Sequence, residues 1–399
     1  MSLRSSIATY MYKIMPLPNK PDINPLLAPN YFAPYIQSQR NDPTGTMRVD
    51  HRLSGRDQVF LRYGQGISEQ TYPNGGDSPI PADRSTNIRT VTMPNRTVAF
   101  SWTRLFGPSF FGETLINYAR ERRSNITGDQ TKDYAALLGT PNPFQRLGFP
   151  EITNIGSFDM ATTEGNQTFV DRSRIFNIQE NMTKVIKNHQ LEFGATVRLA
   201  WLDIRPQEQY VKGYLNFNSL ATALYDTSRP TQFTNVTRTG DNQANFFLGI
   251  PALVRVNKTR PWYHFADREH YFYVQDNWKA SSRLTLNLGL RIESFPIVHE
   301  ANNTWTSFDR NNMAIVTGIS LDKLYAMGAT NPGIVKAYTD LGVKFTSPQA
   351  AGLPTETIYT DLANLEPRLG FAYRLFGHQR PTVLRGGFSR FAYPVPLGG

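Results

Sequence analysis

The chain has 399 residues, 42 of them basic and 32 acidic for a formal charge of +10, and it contains no cysteine. That absence excludes disulfides, thiolate metal sites and cysteine nucleophiles, and the basic residues are scattered, which argues against a nucleic-acid partner. With 25 Phe, 19 Tyr, 29 Gly and 27 Pro the composition suits strands and turns; no apolar run of the roughly 18 residues that a transmembrane helix needs is present, which leaves a membrane barrel built from strands open.

The opening stretch, MSLRSSIATYMYKIMPLPNKPD, has no continuous apolar run ending in a small-residue cleavage site, so it does not read as a secretory signal. From there on, apolar and polar residues alternate in segment after segment, the mark of strands with one greasy and one hydrated face. Residues 47–53 and 59–63 show the pattern first. Val98, Phe100 and Trp102 then alternate with Thr97, Ala99, Ser101 and Thr103, and less regular strands follow at 114–118 and around Phe176 and Ile178. Leu191, Phe193, Ala195, Val197, Leu199 and Trp201 alternate with Glu192, Gly194, Thr196 and Arg198. Irregular stretches at 210–217 and 253–258 are two further strand candidates, and SLATALYDTS at 219–228 has the character of a short helix. The most regular segment is LTLNLGLRI at 284–292; LDKLYAMGA at 321–329 again suggests a short helix, and Leu369, Phe371, Tyr373 and Leu375 alternate with Arg368, Gly370, Ala372 and Arg374.

The strands fall into pairs joined by tight polar turns: SGRD at 54–57, FGPS at 106–109, KNHQ at 187–190, KASSR at 279–283 and FGHQRP at 376–381. Between the pairs lie long segments at about 68–94, 123–172 and 296–366, longer than loops inside compact soluble domains usually are. Short turns on one rim and long loops on the other suit an antiparallel transmembrane β-barrel, with the turns facing the periplasm. Trp102, Tyr118, Trp201, Trp278 and Tyr393 stand near strand ends, where interfacial aromatics belong. A soluble all-β protein with those rings in its core is the alternative that pattern alone leaves open.

Several motifs carry a family resemblance. MPLPNKPD at 15–22 with MRVDHRLSGRDQVFLRYGQG at 47–66, KNHQLEFGATVR at 187–198, NQANFFLGIPA at 242–252, YFYVQDNWKASSRLTLNLGLRIE at 271–293 and NLEPRLGFAYRLFGHQRPTVLRGGFSRFAY at 364–393 occur in this order. Together they resemble TonB-dependent receptors of the Oar-like group, which carry a carboxypeptidase-regulatory-like domain. The resemblance implies an outer-membrane barrel of about 22 strands around a plugged lumen, importing a ligand with energy delivered through TonB. On that basis residues 1–44 are expected to be a linker following a plug domain that the chain lacks, and 45–399 a partial barrel of about 10–12 strands. The implied partners are outer-membrane lipid, the TonB energy-transducing complex and an extracellular ligand, in the outer membrane of a Gram-negative bacterium. The chain is expected to be a fragment without plug or TonB box, because no such segment precedes residue 1 and the end, PLGG, has no terminal aromatic residue.

Catalytic chemistry is not visible. The six histidines, His51, His189, His264, His270, His299 and His378, are dispersed and form no metal-ligand spacing. There is no phosphate-cradling Gly loop and no nucleophile elbow, so neither an enzyme nor a cofactor is expected. The Gly386–Gly387 pair sits within a strand, where close packing is the ordinary role. The candidates for contact with a plug or polar ligand are the lumen-facing Arg62, Glu192, Thr196, Arg198, Thr285, Asn287, Arg291, Glu293, Arg368 and Arg374, although a hydrated lumen needs polar side chains in any case. Trp262, Tyr263 and Phe265 are candidates for an aromatic ligand platform near a loop, with an interfacial girdle or a loop anchor as the equal alternatives. A passive porin-like barrel, a surface adhesin and a soluble carbohydrate-binding protein remain the rival readings.

Overall fold

A computed structural model of the chain describes residues 4–14, 38–72, 89–127, 131–155, 168–208, 210–228, 236, 239–359, 361–376 and 382–393. Helix α1 (Ser6–Ile14) comes first. Strands β1 (Gln39–Asn41) and β2 (Thr44–Arg52) run along one edge, and β3 (Asp57–Tyr72) returns beside them. Strands β4 (Arg89–Gly107) and β5 (Phe110–Thr127) form the next hairpin. A long connection then holds α2 (Tyr134–Leu138) and β6 (Glu151–Thr153). The hairpin of β7 (Thr168–Ile186) and β8 (His189–Glu208) leads into a second connection. That one contains β9 (Tyr214–Asn216), α3 (Asn242–Leu248) and β10 (Leu253–Arg255). Strands β11 (Tyr263–Trp278) and β12 (Leu284–Phe295) follow, then β13 (His299–Glu300). The third connection carries β14 (Thr306–Asp309), β15 (Ala314–Thr317), α4 (Leu321–Met327), α5 (Pro332–Asp340) and β16 (Lys344–Thr346). Strands β17 (Asp361–Arg374) and β18 (Val383–Ser389) end the series.

One antiparallel sheet takes most of these strands, in the order β1-β3-β4-β5-β7-β8-β11-β12-β17-β18, with β2 beside β3 and β13 beside β11. Every neighbour along this path is the next long strand in the chain, so the sheet is an up-and-down meander. The turns are where the polar clusters stand. Ser54 Oγ accepts the amides of Arg56 and Asp57, each at 3.0 Å, and Ser281 Oγ accepts those of Arg283 (3.2 Å) and Leu284 (3.1 Å). Most of the turn expected at 376–381, and the centres of two long loops at 73–88 and 156–167, lie outside the described residues. Within the described residues the sheet does not close on itself, as suits part of a larger barrel.

Two expectations need correcting. The candidate strands at 210–217 and 253–258 do not enter the large sheet; their cores, β9 and β10, pair with each other and with β6 in a separate three-stranded sheet. The helix expected at 219–228 is only a 3-10 turn at Leu220–Thr222, whose Ser219 makes no side-chain cap. The helix at 321–329 does form as α4, because Ser320 caps its first turn and Gly328 takes the left-handed conformation that ends it.

The conventional hydrophobic core lies among the long connections. Ile7, Ala8 and Met11 of α1 share one helical face and pack with Tyr134, Leu138, Phe149, Ile152, Leu215, Phe217 and Phe246. Ser5 N donates to Phe247 O at 2.9 Å, and Ser6 Oγ to Leu138 O at 2.8 Å. The start of α1 thus meets the ends of α2 and α3, and both of those end on left-handed glycines, Gly139 (φ 68°) and Gly249 (φ 73°). The described part of residues 1–44 therefore includes a helix docked on the long connections as well as the first strand residues; 15–37 lie outside the described residues.

Candidate functional site

Cross-strand register carries a single face across the whole sheet, because directly paired residues point the same way. Val49, Leu61, Phe100, Ile116, Ile178 and Val197 form one such row over six strands. Phe272, Ile292 and Leu365 form another, with Val274 beside Leu290. Among the described residues no second layer covers these side chains: Leu61 is 50% exposed, Phe272 51% and Leu365 52%. The opposite face is polar, yet it holds the shielded residues: Glu269 is 2% exposed, Glu293 6% and Glu366 1%. Exposed aliphatics with sheltered carboxylates invert the arrangement of a water-soluble sheet protein. Glu180 interrupts the apolar face, where it accepts a hydrogen bond from Thr114 Oγ1.

On the apolar face the belt has the height of a membrane. From Leu191 to Trp201 β8 advances about 33 Å at roughly 3.3 Å per residue. Tilted by about 40°, as barrel strands are, that spans about 25 Å, the height of the apolar band on such barrels. Trp278 stands at the short-turn end, stacked on His189 with centroids 5.2 Å apart, and Trp102 Nε1 donates to Asp57 at the same rim, 3.2 Å away. Trp201 lies toward the long connections with the Arg174 guanidinium 5.8 Å from its ring, and Tyr118 falls between, in register with Val98 and Phe176. Tyr393 departs from this set. Past β18 the chain continues alongside β17, with Arg390 N donating to Pro367 O at 3.2 Å and Ala392 N to Glu366 Oε1 at 2.5 Å, and Tyr393 lines a cavity on the polar face.

That cavity, of about 630 Å³, is walled by Arg198, Asp267, Glu269, Tyr271, Arg291 and Glu293 among others. Arg198 Nη1 meets Glu269 Oε1 at 2.5 Å, the Tyr271 hydroxyl donates to the other oxygen of Glu269, and Arg291 Nε donates to Glu293. Arg291 also lies over the Tyr271 ring at 4.9 Å, and Arg368 pairs with Glu366 at 3.7 Å. Fixed positive and negative groups alternate along this wall, so it can orient a polar solute without a covalent step. Among the described residues no group of three or more His, Asp or Glu side chains is placed to hold a metal.

All ten polar candidates lie on this face by register. Arg198, Arg291 and Glu293 come together at the cavity, and Arg368 joins them through Glu366, which pairs in register with Arg291. Thr196 is opposite Tyr271, while Glu192 sits nearer the short turns, accepting from Gln190 (2.8 Å) and Asn277 (3.3 Å). Thr285, Asn287 and Arg374 line the same lower region, opposite Ala372, Gly370 and Val383. Arg62 is apart from them, opposite Arg48 and Ala99. Asp267, Glu269, Tyr271 and Glu366 were missed by sequence reasoning. Their signal was parity: the first three stand two apart on β11, facing the same side as Glu293. The aromatic trio does not make one platform, since Trp262 carries Arg172 at 4.9 Å while Phe265 packs on Trp305, centroids 5.7 Å apart.

The model of the family described as "Outer membrane beta barrel domain" matches residues 2–399. No curated protein matches the sequence. Among solved structures, the chain is similar to the ferripyoverdine receptor of the outer membrane of Pseudomonas aeruginosa, at 11% identity over 85% of this chain and 34% of that one, with a TM-score of 0.43. It is similar too to the siderophore receptor PiuA from Acinetobacter baumannii, with 11% identity, 87% and 42% coverage and a TM-score of 0.41. The copper transporter OprC shares 13% identity over 89% of this chain and 38% of its own, with a TM-score of 0.40. The chain spans between a third and just over two fifths of the length of these three proteins.

Proposed function

The chain belongs to the outer membrane beta barrel domain family, and from that membership we propose that it is a wall of a TonB-dependent outer-membrane receptor that imports a polar ligand. The protein resides in the outer membrane. One observation carries the reading: the sheet exposes its aliphatic face, with Leu369 at 53%, and shelters its charges, with Glu366 at 1%. Lipid against the first face and a hydrated lumen behind the second account for both. The five motifs in family order support the finer assignment to the Oar-like group, with residues 45–399 as barrel and long outer connections.

In this reading the long connections and the wall around Arg198, Glu269, Arg291 and Glu293 meet the ligand, and TonB supplies energy to the complete receptor. The wall works by binding and release; we assign it no catalytic group. The extracellular ligand is identified only as polar, from the alternating charges.

The test is partition. The full chain, diluted from denaturant into vesicles, is expected to sediment with them and to migrate faster on gels when unheated than when boiled. A chain that stays monomeric and soluble in plain buffer would overturn the membrane reading. In planar bilayers, steady ohmic conductance would favour a passive pore over a receptor wall.

A further inference from the structure

At its long-connection margin the apolar face changes character. Arg96 of β4 lies directly opposite Arg120 of β5, and Arg120 directly opposite Arg174 of β7. One step further from the short turns, Arg122 lies opposite Arg172. All five have the parity of the belt, since Val98, Tyr118 and Phe176 form the adjoining row. Residues directly opposed on neighbouring strands hold their Cβ atoms about 5 Å apart, where like charges repel. Among the described residues Asp203 alone forms an ion pair with any of the five, at 3.3 Å from Arg174, and it also meets His264 at 2.8 Å.

Five guanidiniums and one shared carboxylate leave an uncompensated positive surface, and its height says what faces it. From the hairpin at Ile186 to Arg174, β7 advances about 40 Å, or about 30 Å along the membrane normal at a tilt of about 40°. That is the level of the headgroups beyond a band about 25 Å tall. Arg172 and Arg174 rest on the indoles of Trp262 and Trp201, the rings that favour this level.

Resting on the membrane reading above, we propose that these arginines form a binding site for the phosphate-bearing headgroup of a lipid in the leaflet on the long-connection side. A planar guanidinium engages phosphate oxygens through two parallel hydrogen bonds, and adjacent arginines on three strands offer several such forks to one headgroup. The acyl chains of the same lipid would lie on Val98, Tyr118 and Phe176. That continuity between charge and belt selects a lipid over a free anion.

The experiment reconstitutes the full chain in phosphatidylcholine vesicles with and without a minor fraction of phosphatidic acid, then counts retained lipid by native mass spectrometry after detergent extraction. Phosphatidic acid is expected to be retained in preference to phosphatidylcholine. Retention should fall about fivefold for each of Arg120→Gln and Arg172→Gln, the factor for one basic side chain at an anionic surface. Arg104→Gln, at the short-turn rim beside Asp57, should retain it fully. Equal retention of both lipids, an unchanged Arg120→Gln/Arg172→Gln double variant, or an equal loss in Arg104→Gln would overturn the site. Complete displacement by millimolar inorganic phosphate would overturn the lipid assignment. Failure to insert even into phosphatidylcholine would instead count against the membrane reading.

Discussion

Glu300 sits almost fully buried at the start of the third long connection, 1% exposed. Burial raises its pKa, but hydrogen bonds from the Thr304 amide and hydroxyl, both 2.9 Å, with those from Asn302 and His264, outweigh it and hold the carboxyl below the usual 4.5. A depressed folded-state pKa contributes stability above the unfolded value that is lost as pH falls through the folded one. Hydrogen exchange at 300–305 should therefore stay slow above about pH 5 and quicken on acidification below the ordinary carboxylate range. Glu300→Gln should exchange faster at neutral pH and show little further change on acidification; an unchanged acid response would sink this account. On the cavity wall, Glu269→Ala should destabilise the reconstituted protein by roughly 2 kcal/mol, because it strands the Arg198 guanidinium; the figure is below that for a fully buried pair, since Arg198 is one-third exposed. The shift in denaturant midpoint measures it.

At the scale of elements, β12 tests which face meets lipid. Leu290 stands six residues from the start of the strand, about 15 Å up a tilted wall and so near the bilayer centre. Leu290→Arg should cost roughly 2–4 kcal/mol of stability in vesicles, whereas Asn287→Arg on the polar face should change it by less than about 0.5 kcal/mol. Similar effects from the two would mean that the faces are assigned backwards. Helix α1 poses a different question. A Cβ at Gly139 would come 2.7 Å from Ser6 Oγ, and one at Gly249 2.6 Å from Ser5 Cβ. Both glycines also hold positive φ, which costs other residues about 1–2 kcal/mol. Gly139→Ala and Gly249→Ala should each loosen α1 from the long connections, read as faster proteolysis at 131–155 with the hairpin sheet still intact.

For the molecule as a whole, the aromatic margins and the leucine belt set a depth scale. Single-tryptophan variants that keep Trp201 or Trp278 should be quenched best by lipids brominated near the headgroup, and one with Trp in place of Leu290 best by bromine near the chain ends. Equal quenching at all depths would contradict a spanning sheet. The order of strands, hairpin after hairpin, means that the large sheet is assembled from neighbours in sequence, while α1, α2 and α3 meet across more than two hundred residues. The molecule thus joins a locally wired wall to a core of long-range contacts on one rim.

That difference explains what could be read in advance. The strands, their pairing, their turns and the faces of residues such as Leu290 and Arg291 follow from alternation and spacing, because a period of two assigns each side chain to a face and a short turn leaves its strands one partner. The destiny of 210–217 and 253–258 was not legible, since β9 and β10 depend on β6, some sixty residues before the first of them. Arg198, Glu269 and Arg291 come together only through the register of three strands. So do Arg96, Arg120 and Arg174, which look like scattered charge in one dimension. Local periodicity alone determined a sheet with one greasy and one hydrated side; tertiary register decided which charges become neighbours, because adjacency across strands is a property of folded backbone pairing and not of distance along the chain.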